Sequence, residues 1–164
     1  MLRLLEIARN AILDKDYIND DFKEKKGIFV TIYVDGELRG CIGFVEPIFS
    51  LSEGVIKAAR LAAFGDRRFI PLSKNDDFKI EISILTKPEL IKVKKYEDYF
   101  DKIKIGYDGL IIENGLLLPK VFVEYDCDVK KALEMVCEKA GLDKDSWKDL
   151  KYKLYKFQAE VVSE

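Results

Sequence analysis

The chain has 164 residues, 48% of them hydrophobic, 12% aromatic and 35% charged, which is ample for one domain with a buried core and excludes disorder. Its formal charge of −2 leaves no basic excess for nucleic acid or an anionic membrane. No apolar run nears the ~18 residues of a membrane span and no signal-peptide pattern opens the sequence, so a cytoplasmic protein is expected.

Leu5, Ala8 and Ile12 recur at helical spacing, with Arg3, Glu6 and Arg9 on another side. Gly27 to Val34 reads as a strand, apolar on both faces and therefore covered on both. Asp35-Gly36 is a two-residue hairpin signal, so Glu37 to Phe44 is expected to return antiparallel. Ser50 and Glu53 have the spacing of a capping box and predict a helix start. Val55, Ala58, Ala59, Ala62 and Ala63 form its small-residue face, and Gly65 is its expected stop. Phe78 to Leu85 alternates as the cleanest strand in the chain. Lys87 to Lys104 is irregular and crowded with lysines and tyrosines. Gly109 to Ile112 and Leu116 to Leu118 flank Asn114-Gly115, a second hairpin signal. Val129, Ala132, Leu133, Val136, Cys137 and Ala140 predict a helix capped by Asp128 and ended at Gly141. Tyr155 to Val161 alternates as one closing strand. Helices interspersed with hairpins indicate an α+β fold with a mainly antiparallel or mixed sheet.

There is no histidine, which removes the Ser-His-Asp and Cys-His triads and His-ligated zinc. The three cysteines, Cys41, Cys127 and Cys137, have no metal-site rhythm. A reducing compartment is the default for them. Abundant Lys and Glu with one glutamine, Gln158, give a thermophile-like composition. The glycines fit neither the dinucleotide fingerprint nor the P-loop. No metal or cofactor is expected.

Leu38-Arg39-Gly40-Cys41-Ile42-Gly43 stands out. Strict alternation places Arg39 and Cys41 on one face and Leu38 with Ile42 on the other. Gly40 and Gly43 would weaken a strand and so suggest a bulge or a close backbone approach. A guanidinium near Cys41 would favour the thiolate, which is both nucleophile and metal ligand. The plain alternative is a small buried thiol beside a surface charge. Asp66-Arg67-Arg68-Phe69 follows a helix end, where planar guanidinium forks suit a carboxylate or phosphate. The alternative is ordinary ion pairing with Asp66. Glu81 and Ser83 share the polar face of their strand, where Glu81 could act as a general base, orient an arginine, or simply face water.

The hexapeptide resembles the hallmark of the AMMECR1 family. Ala58-Ala59 through Asp66-x-Arg68-Phe69-x-Pro71, then Glu81-Ile82-Ser83-Ile84-Leu85, look like further family blocks. Gly109 through Leu116-Leu117-Leu118-Pro119, Cys137-x-Lys139-Ala140-Gly141-Leu142 and Trp147 resemble the C-terminal blocks. Phe44-Val45 and Lys120 depart from the family pattern. The resemblance spans nearly the whole chain and implies one α+β domain, residues 1–164, with a larger and a smaller subdomain and the hexapeptide near a groove between them. It establishes no reaction. Memo-like and radical SAM proteins, often encoded beside or fused to family members, are the partners it implies.

On that resemblance Arg39, Gly40, Cys41, Gly43, Asp66, Arg68, Glu81 and Ser83 become candidates for one shared site. The expected function is binding of a small molecule, a peptide or a partner protein. The enzyme alternative makes Cys41 a nucleophile or carrier thiol, with Glu81 moving protons and the amides of Gly40 and Gly43 stabilising an oxyanion. Nucleic-acid binding through Lys92 to Lys104 ranks last, because Glu97, Asp98 and Asp101 interrupt the basic stretch.

Overall fold

The computed structural model describes residues 2–14 and 22–164. In chain order the first elements are α1 (Leu2–Ile12), β1 (Gly27–Val34), β2 (Glu37–Phe44), α2 (Leu51–Phe64) and β3 (Phe78–Leu85). There follow β4 (Glu89–Leu90), α3 (Tyr99–Lys102), β5 (Gly109–Ile112), β6 (Gly115–Leu117), α4 (Pro119–Glu124), α5 (Val129–Lys139), β7 (Leu154–Phe157) and β8 (Ala159–Ser163). The chain divides into two compact units, Met1–Leu85 with Glu160–Glu164, and Thr86–Ala159. Each unit has a four-stranded antiparallel sheet, ordered β2-β1-β3-β8 in the first and β4-β7-β5-β6 in the second.

In the first unit Ile28, Val30 and Ile32 of β1 and Ile80, Ile82 and Ile84 of β3 supply one sheet face. These residues form a single core with the apolar sides of α1 and α2. Alanines at 58, 59, 62 and 63 let α2 lie close to the sheet, as its small-residue face predicts. Ser50 caps α2 by accepting from the Glu53 amide at 3.3 Å. The turn after β1 uses Asp35 at φ 53° and Gly36 at φ 81°, the left-handed pair that matches hairpin twist. At the far end Arg9 donates through two nitrogens to the Glu164 carboxylate and also to the Phe78 carbonyl. Glu164 in turn accepts from the Ile80 amide at 3.0 Å. One ion pair therefore ties α1 to β3 and to the chain beyond β8.

The second unit packs α5 against β5 and β6 around Leu110, Ile112, Phe122, Leu133, Val136 and Trp147. Asp128 caps α5 by accepting from the Lys131 amide at 2.8 Å, and Gly141 follows its end at φ 75°.

Two expectations are corrected here. The second hairpin turns at Glu113 and Asn114, and Gly115 is already in β6, paired with Ile112. A Cβ on Gly115 would lie 2.7 Å from the Ala140 backbone nitrogen, so this glycine admits a helix rather than making a turn. The single closing strand is two strands in different sheets, β7 and β8. Gln158 separates them. Its amide donates to the Thr86 hydroxyl at 2.8 Å and its carbonyl accepts from the Thr86 amide at 2.9 Å.

Candidate functional site

The hexapeptide forms most of β2, an edge strand of the first sheet. A plain two-residue hairpin would set Thr31 opposite Gly40. Instead, Tyr33 pairs with Leu38 and Ile32 with Gly40, so Arg39 is an extra bulged residue and Thr31 faces Cys41. Because side chains alternate, one inserted residue exchanges the faces of everything beyond it. Without the bulge Cys41 would face Val30 in the core. With it, Ile42 packs toward the core and Cys41 lies on the opposite face. The bulge also separates Leu38 from the face of Ile42, which overturns strict alternation across this motif.

Each glycine of the motif answers to a close approach. A Cβ on Gly40 would lie 2.0 Å from the Ala62 carbonyl oxygen of α2. One on Gly43 would lie 2.4 Å from the ring of Phe29, its partner on β1.

The end of α2 at Gly65 delivers Asp66 to the free edge of β2. The Asp66 carboxylate accepts the Cys41 amide at 3.0 Å, while Arg68 donates to the Cys41 carbonyl at 3.0 Å. Arg68 and Asp66 are joined by two side-chain bonds of 2.9 and 2.7 Å. Together these two side chains satisfy the backbone groups that an adjacent strand would otherwise meet. Asp66 is buried, with 4% of its side chain exposed, whereas the Arg68 side chain is 55% exposed. The guanidinium holds the Asp66 carboxyl well below its ordinary value, at about 2; burial opposes this and the Cys41 and Arg68 amides assist it.

Both backbone groups of Cys41 point away from β1, so Thr31 and Cys41 form the non-hydrogen-bonded kind of pair, whose side chains lie closer. The Thr31 hydroxyl is 3.3 Å from the Cys41 sulfur. Glu81 faces Thr31 from β3, so Cys41, Thr31 and Glu81 make one row across three strands. Ser83 lies one row along, opposite Phe29 and fully buried. Arg39 pairs at 3.7 Å with Asp76, whose carboxyl is held below its ordinary value by the Ser73 amide and hydroxyl and by Arg39.

Cys41, Asp66 and Arg68 are thus in direct contact, Glu81 shares their row through Thr31, and Arg39 is engaged elsewhere. Sequence reasoning missed Thr31 and Asp76. Thr31 reads as an ordinary β-branched strand residue, and only the bulged register brings it to the thiol. Burial pushes the thiols of Cys127 and Cys137 up, which leaves Cys41 as the one partly exposed thiol among the three. Among the described residues no cluster of three or more His, Cys, Asp or Glu is placed to hold a metal ion. No helix among them is long and apolar enough to cross a membrane. In the basic stretch Lys102 donates to the Lys92 carbonyl, and Lys156 donates to the Lys102 carbonyl at 2.7 Å, so part of that charge serves local structure.

The model of the family described as AMMECR1 matches residues 4–162. A protein of Methanocaldococcus jannaschii is 51% identical over 151 residues, covering 87% of this chain and 75% of that protein. One from Methanopyrus kandleri is 45% identical over 181 residues, covering 98% and 86%. Among solved structures, an uncharacterized protein of Pyrococcus horikoshii superposes with a TM-score of 0.92 at 42% identity, covering 99% of this chain and 90% of that one.

Proposed function

The chain belongs to the AMMECR1 family, and from that premise we propose that the β2 edge around Leu38–Gly43 binds an anionic group carried by a small molecule, a peptide or a partner protein. The observation that carries this is the Arg68 guanidinium, fixed by Asp66 and by the Cys41 carbonyl yet 55% exposed. A cation already held in place loses little freedom when an anion docks on it. The exposed Arg67, next to Arg68 in the chain, adds positive charge to the surface, while Arg39 shares its charge with Asp76. The setting is a reducing compartment, where all three thiols stay free. Memo-like or radical SAM proteins are the partner class that the family resemblance supplies.

The test uses Cys41 as a built-in reporter, with Cys127 and Cys137 as buried controls. Alkylation by the anion iodoacetate is compared with alkylation by neutral iodoacetamide, in folded and in urea-unfolded protein. The folded protein is expected to favour iodoacetate by roughly fivefold over the unfolded chain, the factor that ~1 kcal/mol of attraction gives. Arg68→Ala and added salt should both reduce the preference. An equal ratio in folded and unfolded protein would end the proposal.

The enzyme reading has one observation in its favour, the Thr31 hydroxyl at 3.3 Å from the Cys41 sulfur. It expects Thr31→Val to slow iodoacetamide as well as iodoacetate, with Thr31→Ser restoring the rate. Unchanged neutral alkylation in Thr31→Val leaves only the binding reading.

A further inference from the structure

A cavity of about 1090 Å³ lies at the ends of α1 and α2 and is bordered on its third side by residues 72–78. It is somewhat larger than the ~300–1,000 Å³ typical of small-molecule pockets. Its floor is apolar, made by the buried Ile12, Leu72 and Phe78. On its walls Leu13, Leu61 and Phe64 are 47%, 45% and 50% exposed. Three large apolar side chains left in water around one concavity mark a surface that gains by being covered.

The charged groups on the wall are unequal. Arg9 is neutralised by Glu164. Arg60 is fixed by the Ala11 carbonyl at 3.0 Å, and its carboxylate, Asp14, lies 3.4 Å away and is almost wholly in solvent. Asp76 faces Arg39. With Arg9 held by Glu164, Arg60 by Asp14 and Asp76 by Arg39, Lys74 is the cation of this lining that has no ion pair among the described residues.

We propose that this cavity binds a small amphipathic anion, with its apolar body against Leu61, Phe64 and Leu72 and its single carboxylate or phosphate head at Lys74. This site meets the Cys41 edge only through Asp76, the ion-pair partner of Arg39, and Ser73, which holds it, and its test does not depend on that reading.

The probe is 8-anilinonaphthalene-1-sulfonate, an aromatic body with one anionic head, titrated into the full chain under native conditions. Saturable binding at one site per chain is expected. Octanoate and octyl phosphate should displace the probe, their relative strengths distinguishing a carboxylate from a phosphate head, while octyltrimethylammonium of the same tail length should not. Leu61→Glu and Phe64→Glu are each expected to weaken probe binding about tenfold by placing a carboxylate on the apolar wall. Lys74→Glu, on an exposed loop, should weaken it roughly fivefold without changing the thermal midpoint, which keeps the test open if a helix variant loses stability. Cys41→Ser should leave binding unchanged. Absence of saturable binding, unaltered binding in all three glutamate variants, or equal displacement by the cationic amphiphile would each overturn the proposal.

Discussion

At the scale of residues, Asp66 does what a neighbouring strand would do. Its carboxylate takes the Cys41 amide, and the arginine it anchors supplies a donor to the Cys41 carbonyl. A carboxyl whose folded value is depressed to about 2 from an ordinary 3.8 contributes stability that is fully present above pH ~4 and lost as pH falls through about 2. The shift corresponds to on the order of 2 kcal/mol at neutral pH. Asp66→Asn is therefore expected to destabilise the protein by about 2 kcal/mol at pH 7 in urea unfolding, with the gap to the parent closing between pH ~4 and ~2. A gap that stays constant over that range would mean that the pair does not carry this stability. The sequence made Asp66 and Arg68 visible as a pair of opposite charges. It did not reveal that their partner was the backbone of Cys41, because nothing local to either segment specifies that meeting.

At the scale of elements, the approach of α2 to β2 is the contact on which the motif depends. Gly40 leaves room for the Ala62 carbonyl, and the helix end then reaches the strand edge with Asp66. Gly40→Ala would drive a methyl into backbone that cannot swing away. It is expected to cost about 3 kcal/mol or more in thermal or urea unfolding, at the upper end of ordinary overpacking. A cost below ~1 kcal/mol would show that α2 shifts freely. The three long helices are legible because their signals are local: Ser50 and Asp128 cap where the spacing places them, whereas α3 and α4, of four and six residues, are too short to show a helical period. Strand ends were read less well. The alternation from Tyr155 to Val161 continues through Gln158, so no break in pattern marked the change of sheet. Asn114-Gly115 looked like a turn because the same glycine that suits a turn also suits a helix pressed on a strand.

At the scale of the whole molecule, the two units differ in how the chain makes them. The second is one continuous segment, Thr86–Ala159, with its own core and with Thr86 bonded to Gln158 near its two ends. The first needs Glu160–Glu164 to return to it after the second is complete. Residues 86–159 produced alone are expected to unfold cooperatively, with a stability of roughly 3–5 kcal/mol for a core of this size. Circular dichroism on heating checks this. A broad, non-cooperative melt would show that this core does not suffice alone.

Periodicity, caps and motifs are properties of short stretches of chain, and they suffice for the α+β class, the three long helices, the strands of the first hairpin, the Asp35-Gly36 turn and the family. Tertiary structure alone decided which face Cys41 occupies, which side chains complete the edge of β2 and where the last strand changes sheet. Each of those depends on one inserted residue or one distant hydrogen bond. A single bulge at Arg39 exchanges core and exposed faces along the rest of β2, and the period-2 pattern of the strand is too short to show it.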